Sequence, residues 1–200
     1  MMRALVAAIV MTACASAPPP VHLDEGWPAK APSYHGAAET WTRGNTLRGQ
    51  TQETLDLRAT FKSPDWRAAH AERQADQRGL DDAGRAQLVT QAKADMAGPY
   101  EFELMLTTWD RRENDLDRGK KSIWRVVLVD DQGKEIEPIE IVRDRRPSYT
   151  LRAEFPALND FDTAYVARFP RTEQLLGDGV HALRMRLSGE RGAVELVWTP

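Results

Sequence analysis

Four stretches of this chain carry an apolar residue at every second position, and that period restricts the fold more than any other feature. Leu55, Leu57, Ala59 and Phe61 alternate with Asp56, Arg58 and Thr60. Successive side chains of a strand point to opposite faces, so such a segment buries one face and wets the other, as antiparallel sheets do. The same period runs through Tyr100, Phe102, Leu104 and Leu106, through Leu183, Met185 and Leu187, and through Val194, Leu196 and Trp198. Residues 123–129 are apolar on nearly both faces, as a central strand requires, and the turn sequence Asp130-Asp131-Gln132-Gly133 predicts a hairpin partner over 134–143. A second hairpin turn is expected at 188–192. Two more strands are expected near 149–155 and 162–169, closed by Pro156 and Pro170, which cannot donate to a ladder. Many short strands joined by turns predict a mainly β, antiparallel β-sandwich.

Between Phe61 and Tyr100 the period changes. Ser63-Pro64-Asp65 is a helix start and Gly79 a stop; Asp81 or Asp82 begins a second helix, closed by Gly98-Pro99. A helical hairpin over about 64–97 is therefore expected as an insertion, with Leu88, Val89, Ala92 and Met96 as the stripe that packs on the sandwich. Asp162-Thr163-Ala164-Tyr165 resembles the tyrosine-corner region of immunoglobulin domains, one residue short in spacing, and the resemblance implies an immunoglobulin-like topology.

The N-terminus reads as an address. Arg3, the apolar run 4–10 and the small residues Thr12 and Ala13 have the order of a secretory signal, and the run is too short to span a bilayer. Met11-Thr12-Ala13-Cys14 resembles a bacterial lipobox, with Met11 where Leu is usual. That resemblance implies a signal peptide over 1–13, removal of which leaves a diacylated Cys14, then a flexible tether over 14–36 and a domain over 37–200. A plain cleaved signal cut near Ala15 or Ala17, or a buried thiol, are the alternatives. Two acyl chains hold a protein on a membrane where one does not. Ala15 in place of Asp points to the outer membrane, facing the periplasm. Cys14 is the only cysteine, so no intramolecular disulfide can form and the fold rests on its core.

With 42% hydrophobic and 28% charged residues in 200, one packed domain is expected. The net charge of −3, with acids and bases interspersed, gives no footprint for nucleic acid and no polybasic lipid patch.

No hydrolase elbow, P-loop, dinucleotide fingerprint or zinc-protease helix occurs. His22, His35, His70 and His181 are scattered, and the acids of 110–121 lack the glycine and closing Glu of a calcium loop, so no metal, no cofactor and no small-molecule ligand are expected. Trp124 and Trp198 sit in apolar strands as core residues. Trp109 falls on the polar face of a regular strand, unless a bulge turns it inward; with Arg111 and Arg112 it is the candidate partner contact. Asp56, Arg58, Glu101, Glu103, Arg184, Arg186 and Glu195 are expected to pair on a wet sheet face, and Arg143-Asp144-Arg145-Arg146 to be solvated.

The phrases Ala59-Thr60-Phe61-Lys62-Ser63-Pro64-Asp65-Trp66, Tyr165-Val166-Ala167-Arg168-Phe169-Pro170 and Val194-Glu195-Leu196-Val197-Trp198 resemble those of a group of uncharacterised bacterial lipoproteins. The resemblance covers most of the chain and implies location and architecture without chemistry. The expectation is a lipid-anchored, non-enzymatic binding or assembly module of the cell envelope with an envelope protein as candidate partner. A periplasmic hydrolase with a scattered site and a purely structural envelope component are the alternatives.

Overall fold

A computed structural model describes residues 17–49 and 53–200; Cys14 and the expected signal peptide lie outside the described residues. Among the described residues nine strands form two antiparallel sheets. The first has the order β1 (Thr42–Arg48), β2 (Glu53–Phe61), β3 (Tyr100–Thr108), β7 (Thr163–Phe169), β6 (Glu140–Arg143). The second has the order β5 (Glu135–Ile136), β4 (Trp124–Val129), β8 (Leu183–Gly189), β9 (Gly192–Trp198). All four period-two stretches are strands, and their apolar sets face one core. Leu57 lies opposite Leu106, Phe61 opposite Phe102, and Leu183 opposite Trp198. Phe102 of one sheet meets Trp198 of the other with ring centroids 5.7 Å apart.

One side of the two sheets is closed by side chains that reach from β1 to the main chain of β9. Asn45 Nδ2 donates to Glu195 O at 3.1 Å and Arg43 Nε to Val197 O at 2.9 Å. Arg43 is buried, and its other nitrogens donate to Thr40 O, Thr42 O and Pro19 O at 2.6–2.9 Å, so all three guanidinium nitrogens have acceptors. Gly192 (φ 131°) lets the β8–β9 turn come so close to Leu47 that a Cβ there would lie 3.0 Å from it.

The structure corrects several expectations. The expected partner strand 134–143 breaks at Pro138: β5 pairs with β4, while β6 crosses to pair with β7 in the other sheet. Residues 149–155 are not a strand but a helix, Ser148–Glu154 (α4 below), because Leu151 and Phe155, four residues apart, are buried while Tyr149 is exposed. Val21 and Leu23, inside the expected tether, belong to the core, and Val21 N donates to Thr199 O at 2.9 Å. Tyr165 makes no tyrosine corner; its hydroxyl donates to Asn114, 51 positions away.

The inserted hairpin is present as α2 (Pro64–Arg78) and α3 (Asp82–Met96), preceded by α1 (Tyr34–Trp41). Ser63 caps α2 through Trp66 N, Gly79 ends it at φ 60°, and Asp81 caps α3 through Gly84 N. The packing differs from expectation. Trp66, Ala68, Ala69, Ala71 and Ala75 of α2 are buried, whereas α3 buries no residue and lies on the outside of α2. Leu88→Asp should therefore cost about 1 kcal/mol in urea unfolding; a loss above about 3 kcal/mol would return α3 to the core. Among the described residues no helix is long and apolar enough to cross a membrane.

Candidate functional site

Strand β3 ends at Thr108, and Trp109 N still donates to Thr54 O at 3.0 Å, so the residue is held at the sheet end while its side chain is 71% exposed. The loop beyond is fastened at successive points. Asp110 accepts from Arg112 N at 2.9 Å, which caps the turn Arg111–Glu113 and holds its carboxyl below the usual range. Asn114 Nδ2 donates to Leu106 O at 2.8 Å, and Asn114 Oδ1 accepts from Tyr165 OH at 2.7 Å. Trp124 Nε1 donates to Glu113 O at 2.8 Å, and Ser122 Oγ to the buried Asp115 at 2.7 Å.

A second turn faces this loop. Asp162 accepts from Thr107 Oγ1 at 2.7 Å, from Arg58 Nη2 at 3.2 Å and from Asn159 N at 2.7 Å, and this anchors a turn whose tip is Phe161, 74% exposed. Trp109 and Phe161 line one cleft of about 590 Å³, together with Arg111, Arg143, Asn114 and Thr107. Of the three expected contact residues, Trp109 and Arg111 line it, while Arg112 is exposed beside it and pairs with Asp110 at 3.3 Å. No bulge turns Trp109 inward. Sequence reasoning missed Phe161 and Arg143. Phe161 had one available signal, an aromatic residue inside the polar turn Asn159-Asp160-Phe161-Asp162.

The expected charge pairing holds on the second sheet, where Arg186 pairs with Glu195 at 3.7 Å across β8 and β9, and on part of the first, where Asp56 pairs with Arg58 at 2.8 Å and Glu101 with Arg168 at 2.9 Å. Glu103 of the first sheet is an exception: its side chain is fully buried, and Asp144 and Arg146, from the segment 144–162 that carries α4 (Ser148–Glu154), lie beside it. Lys62 Nζ lies 2.6 Å from Glu101 and 3.4 Å from Glu103, and Arg146 Nη2 lies 2.7 Å from Asp144 and 4.0 Å from Glu103. Arg146 also pairs with Glu154, which His70 Nε2 meets at 3.1 Å. His70 and Phe155 stack on Trp66 with centroids 4.7 and 5.6 Å away. Of the run expected to be solvated, Arg143, Arg145 and Arg146 are exposed, while the Asp144 carboxyl is largely withdrawn from water by its bonds from Arg146.

Burial tends to raise every carboxyl here. For Glu101, Lys62 and Arg168 outweigh burial; for Asp144, the bonds from Arg146 do; for Glu154, His70 and Arg146 do, and all three end below the usual range. Glu103 is different. Neither of its oxygens has a hydrogen-bond partner among the described residues, and burial pushes its pKa up to about 8 against the pull of Lys62. Both nearby cations are already matched by Glu101, Asp144 and Glu154, so a further negative charge gains little. Glu103 has the perturbed pKa of an acid–base catalyst, yet its side chain does not reach solvent or line any cleft described above. The cluster fastens the segment 144–162 to the sheet. Among the described residues no three His, Asp or Glu side chains converge to hold a metal ion. Comparison with protein-family models, curated proteins and solved structures returns no match.

Proposed function

We propose that the chain is a lipoprotein of the bacterial cell envelope, tethered through a diacylated Cys14 on the outer membrane facing the periplasm, and that it is a non-enzymatic module that binds a partner protein through the Trp109–Phe161 cleft. The two antiparallel sheets around one core support a β-sandwich, of which we infer an immunoglobulin-like variant. The lipobox-like run Met11-Thr12-Ala13-Cys14 supports the anchor.

The observation that carries the binding reading is that two of the most exposed large apolar side chains, at 71% and 74%, come from turns far apart in sequence and line the same cleft. Exposed apolar groups on a rigid base are common at contact sites, and the hydrogen bonds of both turns supply that rigidity.

Two measurements test this. Mass spectrometry of the membrane fraction should find a mature N-terminus at Cys14 carrying a diacylglyceryl group; a mature form starting at Ala15 or later overturns the anchor. Trp109→Ala should melt within about 2 °C of the parent, since exposed substitutions change stability by about 0.5 kcal/mol, and should lose a crosslinked partner in intact envelopes. A variant that folds and keeps every crosslink overturns the contact site.

A further inference from the structure

The ladder of the second sheet stops short at the edge where the chain crosses to the first. Strand β5 pairs with β4 only at Leu128↔Ile136 and Val129↔Glu135. In that register Val126 would come opposite Pro138, which has no N–H to give, and there the chain leaves for β6. The turn fixes which main-chain groups face this side. Asp130 N donates to Lys134 O, and every second residue of a strand aims its N–H and C=O the same way, so Leu128, Val126 and Trp124 face the β5 side as well. Trp124 N takes Ser122 Oγ at 3.1 Å. Val126 N–H, Val126 C=O and Trp124 C=O have no hydrogen-bond partner among the described residues.

These groups open into a groove of about 840 Å³ lined by residues 122–126 of β4 and its approach, by the crossing segment 137–141, and by Leu116 and Lys120. Ile123 and Ile139, 46% and 61% exposed, line it together with Ile141. It shares no residue with the Trp109–Phe161 cleft.

The groove specifies its occupant in three ways. Unmade ladder bonds call for extended main chain, because buried backbone N–H and C=O groups are costly to leave unpaired. Charge selects no ion: Arg125 is matched by Glu135 and Glu137 at 2.6 Å each and Glu140 by Arg168 at 2.5 Å, while Lys120 and Glu190, in no ion pair among the described residues, are opposite in sign. Finally, Val126 is 4% exposed, so the open ladder lies at the groove floor. The equally recessed edge of a second folded copy cannot approach to the roughly 4.8 Å of a ladder, whereas a single extended chain can.

We propose that this groove takes up an extended, uncharged segment of a partner protein, apolar at alternate positions, which pairs with Trp124–Val126 as an added strand and sets its apolar side chains against Ile123, Ile139 and Ile141. Strand addition draws affinity from main-chain bonds and specificity from the alternate side chains. The site is separate from the Trp109–Phe161 cleft and does not depend on it.

The test uses the full chain in neutral detergent and a set of fluorescein-labelled seven-residue peptides with Val, Ile, Leu or Phe at alternate positions and Ser or Thr between them, read by anisotropy and amide hydrogen exchange. At least one peptide should bind, slow exchange of the Val126 amide about tenfold or more, and lose no affinity between about 0.1 and 1 M salt, over which the Debye length falls from about 10 to about 3 Å. Ile123→Asp and Ile139→Asp, at exposed positions, should fold like the parent and weaken binding about tenfold. N-methylating alternate residues of the bound peptide should abolish binding for the set whose N–H groups face β4. Binding that leaves Val126 exchange unchanged, or that survives N-methylation of either set, is apolar contact without strand pairing and overturns the proposal. A steep loss of affinity with salt overturns it too. A dimer in sedimentation that Ile139→Asp abolishes puts a second copy in the groove and overturns it, as does a parent that binds no peptide of the set. If no peptide binds while Trp109→Ala still loses its crosslinked partner, the cleft reading stands and this one alone falls.

Discussion

Raising the pH from about 5 to about 8 should weaken the folded protein by a few kcal/mol, and Glu103→Gln should remove most of that loss. Glu103 is fully buried, has no hydrogen-bond partner for either oxygen among the described residues, and has its pKa pushed up by burial to about 8. In the unfolded chain a glutamate titrates near 4.3. Between those values the folded protein keeps a proton that the unfolded chain has released, so unfolding becomes easier as pH rises; the stabilisation is complete below the unfolded pKa and gone above about 8. At about 1.4 kcal/mol per unit the ceiling is about 5 kcal/mol, and relaxation around Lys62 and Arg146 reduces it.

Glu101, Asp144 and Glu154 do not mask the effect. Their pKa values are lowered, so the stability they contribute is already in place above the unfolded carboxylate range and is lost only as pH falls through their folded values. Urea unfolding at pH 5, 6.5 and 8 on the parent and Glu103→Gln is the measurement. Parallel profiles for the two proteins would mean that Glu103 is ionised in the native state and that Lys62 or Arg146 pairs with it more closely than the 3.4 and 4.0 Å seen.

Arg43→Ala should cost about 3–5 kcal/mol, the scale for truncating a large buried side chain and leaving buried acceptors without their donor. The guanidinium donates to four carbonyls from three segments, Pro19, Thr40 and Thr42, and Val197, and it lies over the Trp198 ring at 6.0 Å. Its removal leaves those carbonyls unpaired, opens a cavity against Trp198, and releases the contact between the edges of β1 and β9. Arg43→Lys should recover only a small part, because an ammonium cannot fork toward four acceptors. A loss below about 1 kcal/mol for Arg43→Ala would mean that the edges of β1 and β9 hold without it.

Two residues with similar sequence surroundings mark where local reading stops. Glu101 and Glu103 are both charged residues on the same face of one alternating strand, and the sequence assigns both to water. One forms ion pairs with Lys62 and Arg168; the other is sealed by a segment more than 40 positions away. Likewise the exposure of Trp109 was legible from strand parity, but Phe161 joins it in one cleft only because Asp162 ties a distant turn to Thr107 and Arg58. The stripe of α3 was a correct local periodicity; what it packs on was decided by Trp66 and the alanines of α2, which reach the sheet first.

The sequence by itself determined the strands with period two, the caps that start and stop the inserted helices, the turn at 130–133 and the core roles of Trp124 and Trp198. Each of these depends on side-chain direction or backbone preference within a few residues. Only the tertiary structure decided the crossing of the chain from one sheet to the other at Pro138, the helix over 148–154, the burial of Val21, Leu23, Arg43 and Glu103, and the meeting of Trp109 with Phe161 in one cleft. Those outcomes depend on which distant groups meet, because desolvation and pairing act through space, and a sequence window records neither.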